Sequence, residues 1–129
     1  MEIKRILYVE DTMEKYMAIY SYLKRLGYSD VEHAGNAEKA VELAEAAKLE
    51  GKPFNLFLFD MHFDFFGQDD QKAGRRLMDY FREKGYQTPV IICSSDNWRI
   101  QGTVGTVFYI PDRDWEEELK DLISTVKEM

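Results

Sequence analysis

Short unbroken apolar runs punctuate the chain: ILYV within residues 3–9, LFLF within 55–59, VIIC within 89–94 and VFYI within 106–110. Runs of this length, rich in β-branched and aromatic residues and bounded by turn formers, predict buried parallel strands. A further strand, VEHA, is predicted at 31–34. Between these runs the apolar spacing lengthens to three and four. Residues 13–26 carry Met13, Tyr16, Met17, Tyr20, Leu23 and Leu26 as the stripe of an amphipathic helix, which Gly27 terminates. Asn36 is placed to cap an Ala-rich helix over 37–50, stopped by Gly51 and Pro53. Two more helices are predicted over 73–84 and 115–127, the last facing Leu119, Leu122, Ile123 and Val126 inward.

Strands that alternate with helices imply right-handed crossovers and a doubly wound α/β fold with a five-stranded parallel sheet. No repeat, low-complexity tract or linker interrupts residues 1–129, so a single domain is expected. The fourth crossover is short. NWRIQGTVGT holds two glycines and no helical period, where a full crossover needs about a dozen residues or more. The stretch HFDFFGQDDQKA after residue 61 is read as a long polar loop.

Composition narrows the function. A formal net charge of −7 disfavours a nucleic-acid footprint and an anionic membrane surface, both of which require a basic face. The apolar runs are too short to span a bilayer. The lone cysteine, Cys93, lies inside a strand run and is read as a small buried hydrophobe. A reducing cytoplasm is the expected compartment.

The strands carry their chemistry at their C-terminal ends. ILYVED finishes on Glu10 and Asp11, NLFLFD on Asp60 and PVIICS on Ser94. Open α/β sheets bind ligands at that edge. Three carboxylates and a hydroxyl gathered there suit a hard divalent cation such as Mg²⁺. A carboxylate beside such an ion is also a nucleophile toward phosphorus. By position Asp60 is the nucleophile, Glu10 and Asp11 the metal ligands, and Ser94 a donor to a phosphoryl oxygen. Asp11 has a second reading as a helix N-cap paired with Glu14.

These segments resemble the receiver domain of bacterial two-component response regulators. ILYVED is similar to the family's opening strand with its acidic pair, LFLFDM to the phospho-acceptor strand, PVIICSS to the strand ending in the switch hydroxyl, and FYI to the strand with the switch aromatic. GRRLMDYFREKG and WEEELKDLISTV resemble the helices that follow the acceptor loop and close the domain. The resemblance implies a CheY-like, flavodoxin-like fold and phosphorelay signalling. A histidine kinase or phosphotransfer protein would phosphorylate Asp60 with Mg²⁺, and a downstream protein would read the result. Glu10, Asp11, Asp60 and the backbone carbonyl of His62 would hold the metal. Ser94 and Tyr109 would be the switch pair. Any chemistry would be limited to phosphorylation and dephosphorylation of Asp60 itself.

Three departures qualify the resemblance. Asp112 stands where the family has a lysine, with Arg113 at the following position. A carboxylate about 6 Å from the acceptor costs roughly 3 kcal/mol at an effective dielectric of ~20. Relief is expected from Arg113, from Lys72, or from Asp112 turning to solvent. Next, Gly74 lies fourteen residues after Asp60 rather than about eight, which lengthens the acceptor loop. Its aromatics (Phe63, Phe65 and Phe66) are read as pins to the domain, and Asp64, Asp69 and Asp70 as solvated acids. Finally, the reduced fourth crossover leaves Trp98 to cover the gap. The absent lysine supports an alternative function, a phosphorylation-independent pseudo-receiver acting as a protein-interaction module. A third reading, a Mg²⁺-dependent hydrolase using Asp60 and Asp64, lacks a substrate motif and a general base.

Overall fold

The computed structural model describes all 129 residues, Met1–Met129. Five strands form one parallel sheet: β1 (Ile6–Val9), β2 (Val31–Ala34), β3 (Leu56–Phe59), β6 (Val90–Ser94) and β7 (Gly105–Phe108), in the order β2-β1-β3-β6-β7. Counting only sheet strands, this is the 2-1-3-4-5 order of flavodoxin-like folds. Helices α1 (Met13–Arg25), α2 (Ala37–Leu49), α3 (Ala73–Glu83) and α4 (Trp115–Lys127) cover both faces. No helix is long and apolar enough to cross a membrane.

Alternation along the strands divides the core in two. Leu7, Val9, Phe57, Phe59, Val90 and Ile92 face α2 and α3, while Tyr8, Leu58, Ile91, Cys93 and Val107 face α1 and α4. The alanines of α2 leave room for large neighbours, and Phe57 stacks on Phe59 at 5.2 Å and meets the tilted ring of Phe81 at 4.7 Å. Asn36 caps α2 by accepting from Lys39 N–H at 2.8 Å, and Asp114 caps α4 by accepting from Glu117 N–H at 3.1 Å.

Several boundaries and faces differ from the sequence reading. β1 begins at Ile6, three residues late, because the Asn55 side-chain oxygen accepts from Lys4 N–H and Arg5 N–H at 2.6 and 2.9 Å. β7 spans Gly105–Phe108 rather than 106–110. On α1 the ridge that meets the sheet runs through Ile19 and Leu23, and Met13 and Met17 are 61% and 52% exposed. The supposed polar loop is a β-hairpin of β4 (Phe63–Phe65) and β5 (Gln68–Asp70). Phe66 and Gly67 turn it with φ of 52° and 89°, as a two-residue hairpin with inverted twist requires. Phe63 is fully buried, and Phe66 contacts the rings of Phe65 and Tyr80. The aromatics do pin this segment to the domain. Of its acids, Asp69 is solvated as expected, beside the exposed His62, whereas Asp64 accepts from Gly67 N–H and Asp70, mostly buried, pairs with Arg76.

Between β6 and β7 there is no helix, so the fourth crossover is as short as expected. Trp98 and Ile100 pack on the α2–α3 side of the core.

Candidate functional site

β1 and β3 run in register, Val9 opposite Phe59, so the next residues of each strand leave the sheet side by side. Asp60 N–H donates to the Val9 carbonyl at 2.9 Å, and Glu10 N–H to the Ala34 carbonyl at 2.9 Å. His33 Nε2 lies 2.8 Å from the Glu10 carbonyl and stacks on Tyr16, which steadies the same turn. Backbone geometry thus delivers Glu10, Asp11 and Asp60 to one place. A carboxylate oxygen from each lies within 4.8 Å of the other two. Glu10 and Asp60 are buried, and Asp11 is exposed. Thr12, rather than Asp11, occupies the N-cap position of α1, which leaves the Asp11 carboxylate free for the cluster.

The three acids open into a cavity of about 660 Å³, also lined by His62, Ser94 and Tyr109. Ser94 is buried at the end of β6, where its hydroxyl accepts from Asp96 N–H at 3.1 Å. Tyr109 leaves β7 beside it, its N–H donating to the Ser94 carbonyl at 2.7 Å and its ring 5.1 Å from Trp115. The His62 ring turns outward to Asp69, at 2.6 Å.

A cation sits among the acids, and it is neither of the two expected from sequence. Lys15 reaches in from the first turn of α1. Its Nζ lies 3.0 Å from Glu10 Oε1 and 3.1 Å from Asp60 Oδ1, and it donates to the Cys93 carbonyl at 2.7 Å. The ammonium is 5.7 Å from the centre of the Tyr109 ring. Arg113 instead pairs with Glu118 at 3.0 Å and donates to the Phe108 carbonyl, while Glu118 accepts from Phe108 N–H at 2.7 Å. Together the two side chains close the open edge of β7. Lys72 is exposed at the N-terminus of α3, where its N–H donates to Asp70. Asp112 is exposed and outside the cavity lining, so the like-charge penalty expected from that position does not apply. Asp64 belongs to the hairpin turn and does not line the cavity either, which removes the partner acid of the hydrolase reading.

One signal for Lys15 was present in the sequence. Lys15, Ile19 and Leu23 recur at intervals of four, so the lysine caps the ridge that faces the sheet at its active end.

The electrostatics follow from burial. Desolvation pushes the Glu10 carboxyl up to about 7, with the Asp60 charge adding to it and Lys15 opposing it. For Lys15, burial alone would favour the neutral amine, but Asp60 and Glu10 outweigh it and hold the ammonium above its ordinary value. The Tyr8 hydroxyl donates to Glu10 Oε1 at 3.2 Å, and Thr12 N–H donates to Oε2 at 3.2 Å. With the three acids ionised, one ammonium leaves two negative charges, which a divalent cation would neutralise. All candidate ligands are hard oxygens, as Mg²⁺ requires. The residues fit such an ion.

No protein-family model and no curated protein matches the sequence. Solved structures do match, and they are consistently response regulator receiver domains. One is the N-terminal domain of a response regulator/sensory box/GGDEF three-domain protein from Carboxydothermus hydrogenoformans. It is 22% identical with a TM-score of 0.68, covering 97% of this chain and 94% of that one. Another is the response regulator TrrA from Thermotoga maritima in complex with Mg²⁺ and BeF, at 20% identity and TM-score 0.70, covering 96% and 99%. A third is the receiver domain of an Arabidopsis thaliana histidine kinase complexed with Mg²⁺ and BeF₃⁻, at 21% and 0.68, covering 98% and 91%. The fold is that of CheY-like receiver domains.

Proposed function

We propose that the chain is a phosphorelay receiver in which Asp60 accepts a phosphoryl group from a histidine kinase or phosphotransfer protein. One observation carries this reading: the carboxylates of residues 10, 11 and 60 share a single cavity, with a lysine ammonium on the Asp60 oxygen. An Asp60 oxygen would attack the phosphorus of a phosphohistidine. The new P–O bond forms as the P–N bond breaks, and the histidine nitrogen keeps the bonding pair. Glu10, Asp11, Asp60 and the backbone carbonyl of His62 would hold Mg²⁺, which when bound neutralises charge on the phosphoryl oxygens. Lys15 supplies fixed positive charge on the acceptor, the task that position 112 leaves undone. Ser94 would donate to a phosphoryl oxygen once its hydroxyl leaves the Asp96 turn. Tyr109, packed beside it, would register that change for a downstream protein. The setting is cytoplasmic, and the two structural neighbours with Mg²⁺ and a beryllofluoride mimic make the same ligands the natural probes here.

The phosphorylation-independent reading drew its support from the missing lysine. Lys15 weighs against it, because a cation carried on α1 lies on the Asp60 and Glu10 oxygens.

The test uses beryllofluoride with Mg²⁺, followed by Tyr and Trp fluorescence, and a small phospho-donor followed by intact mass. Wild type should give a saturable change and a single phosphoryl adduct, both lost in Asp60→Asn. Metal binding without either response would overturn phosphorylation in favour of the interaction module.

A further inference from the structure

We infer that Lys15 is a built-in competitor for the divalent cation, holding Glu10 and Asp60 so that metal affinity is set by its displacement as well as by the acids. The inference rests on the reading of residues 10, 11 and 60 as a cation site. Its ammonium bridges two of the three candidate ligands at 3.0 and 3.1 Å, and its side chain is only 11% exposed. A bridge of this kind differs from an ion pair with the acceptor alone, because it engages the buried Glu10 as well.

Lys15 also has a seat that does not depend on the acids. The Cys93 carbonyl accepts from Nζ at 2.7 Å, and the Tyr109 ring lies 5.7 Å from it. The chain therefore keeps the ammonium beside the acids even when their oxygens are otherwise engaged. A fixed positive charge that close opposes a second, divalent one where two of the three ligands, Glu10 and Asp60, are buried. An exposed lysine would be screened and would swing away. Lys15 is fastened at the start of α1, five residues after Glu10, one of the two acids it binds.

Titration of the full chain with Mn²⁺ and Mg²⁺ tests this, read by calorimetry and by the paramagnetic resonance of free Mn²⁺. Lys15→Met should tighten metal binding by roughly tenfold or more, because it removes a charge within a few ångströms of the ligands. Lys15→Arg, which keeps the charge, should bind like wild type. Lys72→Met, which changes net charge equally but outside the cavity, should leave affinity unchanged. If Lys15→Met lowers the melting point below the working temperature, Lys15→Gln takes its place in the same titration. Affinity in the neutral variant no tighter than wild type would overturn the inference, as would equal tightening in Lys72→Met. Failure of every variant to bind either metal would overturn both this inference and the proposed function. Tighter metal binding with no beryllofluoride adduct would overturn the phosphoryl reading alone and support the competition.

Discussion

Burial holds the Glu10 carboxyl at about 7 against an ordinary 4.5, so folding favours its protonated form. That contribution is complete below the ordinary value and is lost as pH rises through 7. With EDTA present, Glu10 should cost the fold on the order of 3 kcal/mol or less between about pH 5 and 8. Glu10→Gln should flatten that part of the stability curve and leave the variant the more stable protein at pH 8. Urea unfolding at each pH checks this, and parallel curves for the two proteins would contradict it. At this scale the acids were legible because each ends an apolar run, where an unpaired carboxylate is costly. Asp112 had three possible outcomes and the structure takes the solvent-facing one, because spacing along the chain gives a residue's place in a pattern, not the direction of its side chain. The same gap hid Lys15, whose partners lie up to 78 positions away in the chain.

Among the elements, the contact that most constrains the site joins the start of α3 to the end of β3. Gly74 N–H donates to the Met61 carbonyl at 3.1 Å, and a Cβ on Gly74 would stand 2.3 Å from the Asp60 backbone oxygen. Gly74→Ala must push the helix off the strand end. The expected cost is about 1–3 kcal/mol in urea unfolding, as for other overpacked sites, together with weaker beryllofluoride binding as Asp60 shifts. Unchanged stability would mean that α3 can slide. The sequence reading placed this glycine correctly at the head of the helix but treated the twelve residues before it as a loop. β4 and β5 are three residues each, with an aromatic at a left-handed turn position. Elements so short leave no periodic trace, and Phe-Gly is not a usual hairpin signal. The four helices were legible because each spans enough residues to establish a period, and most of the sheet strands because each lies in an unbroken apolar run.

For the whole molecule, a cation bound at residues 10, 11 and 60 would join parts of the chain that unfolding separates. Residues 10 and 11 lie 50 and 49 positions from residue 60, so the unfolded chain has no comparable site. Mg²⁺ should therefore raise the melting temperature in a saturable way, worth about 2.7 kcal/mol at a hundredfold excess over its dissociation constant. Asp11→Asn, which alters an exposed carboxylate outside the core, should lose most of that gain and keep its metal-free melting point. The order of strands and helices, and with it the sheet and the edge where chemistry gathers, follows from local patterning, because hydrophobic period and turn chemistry act over a few residues at a time. The cation among the acids, the hairpin and the outward turn of Asp112 were decided only in three dimensions. Each depends on which face of a helix or strand meets a distant segment, and burial against such segments outweighs any preference that neighbouring residues express alone.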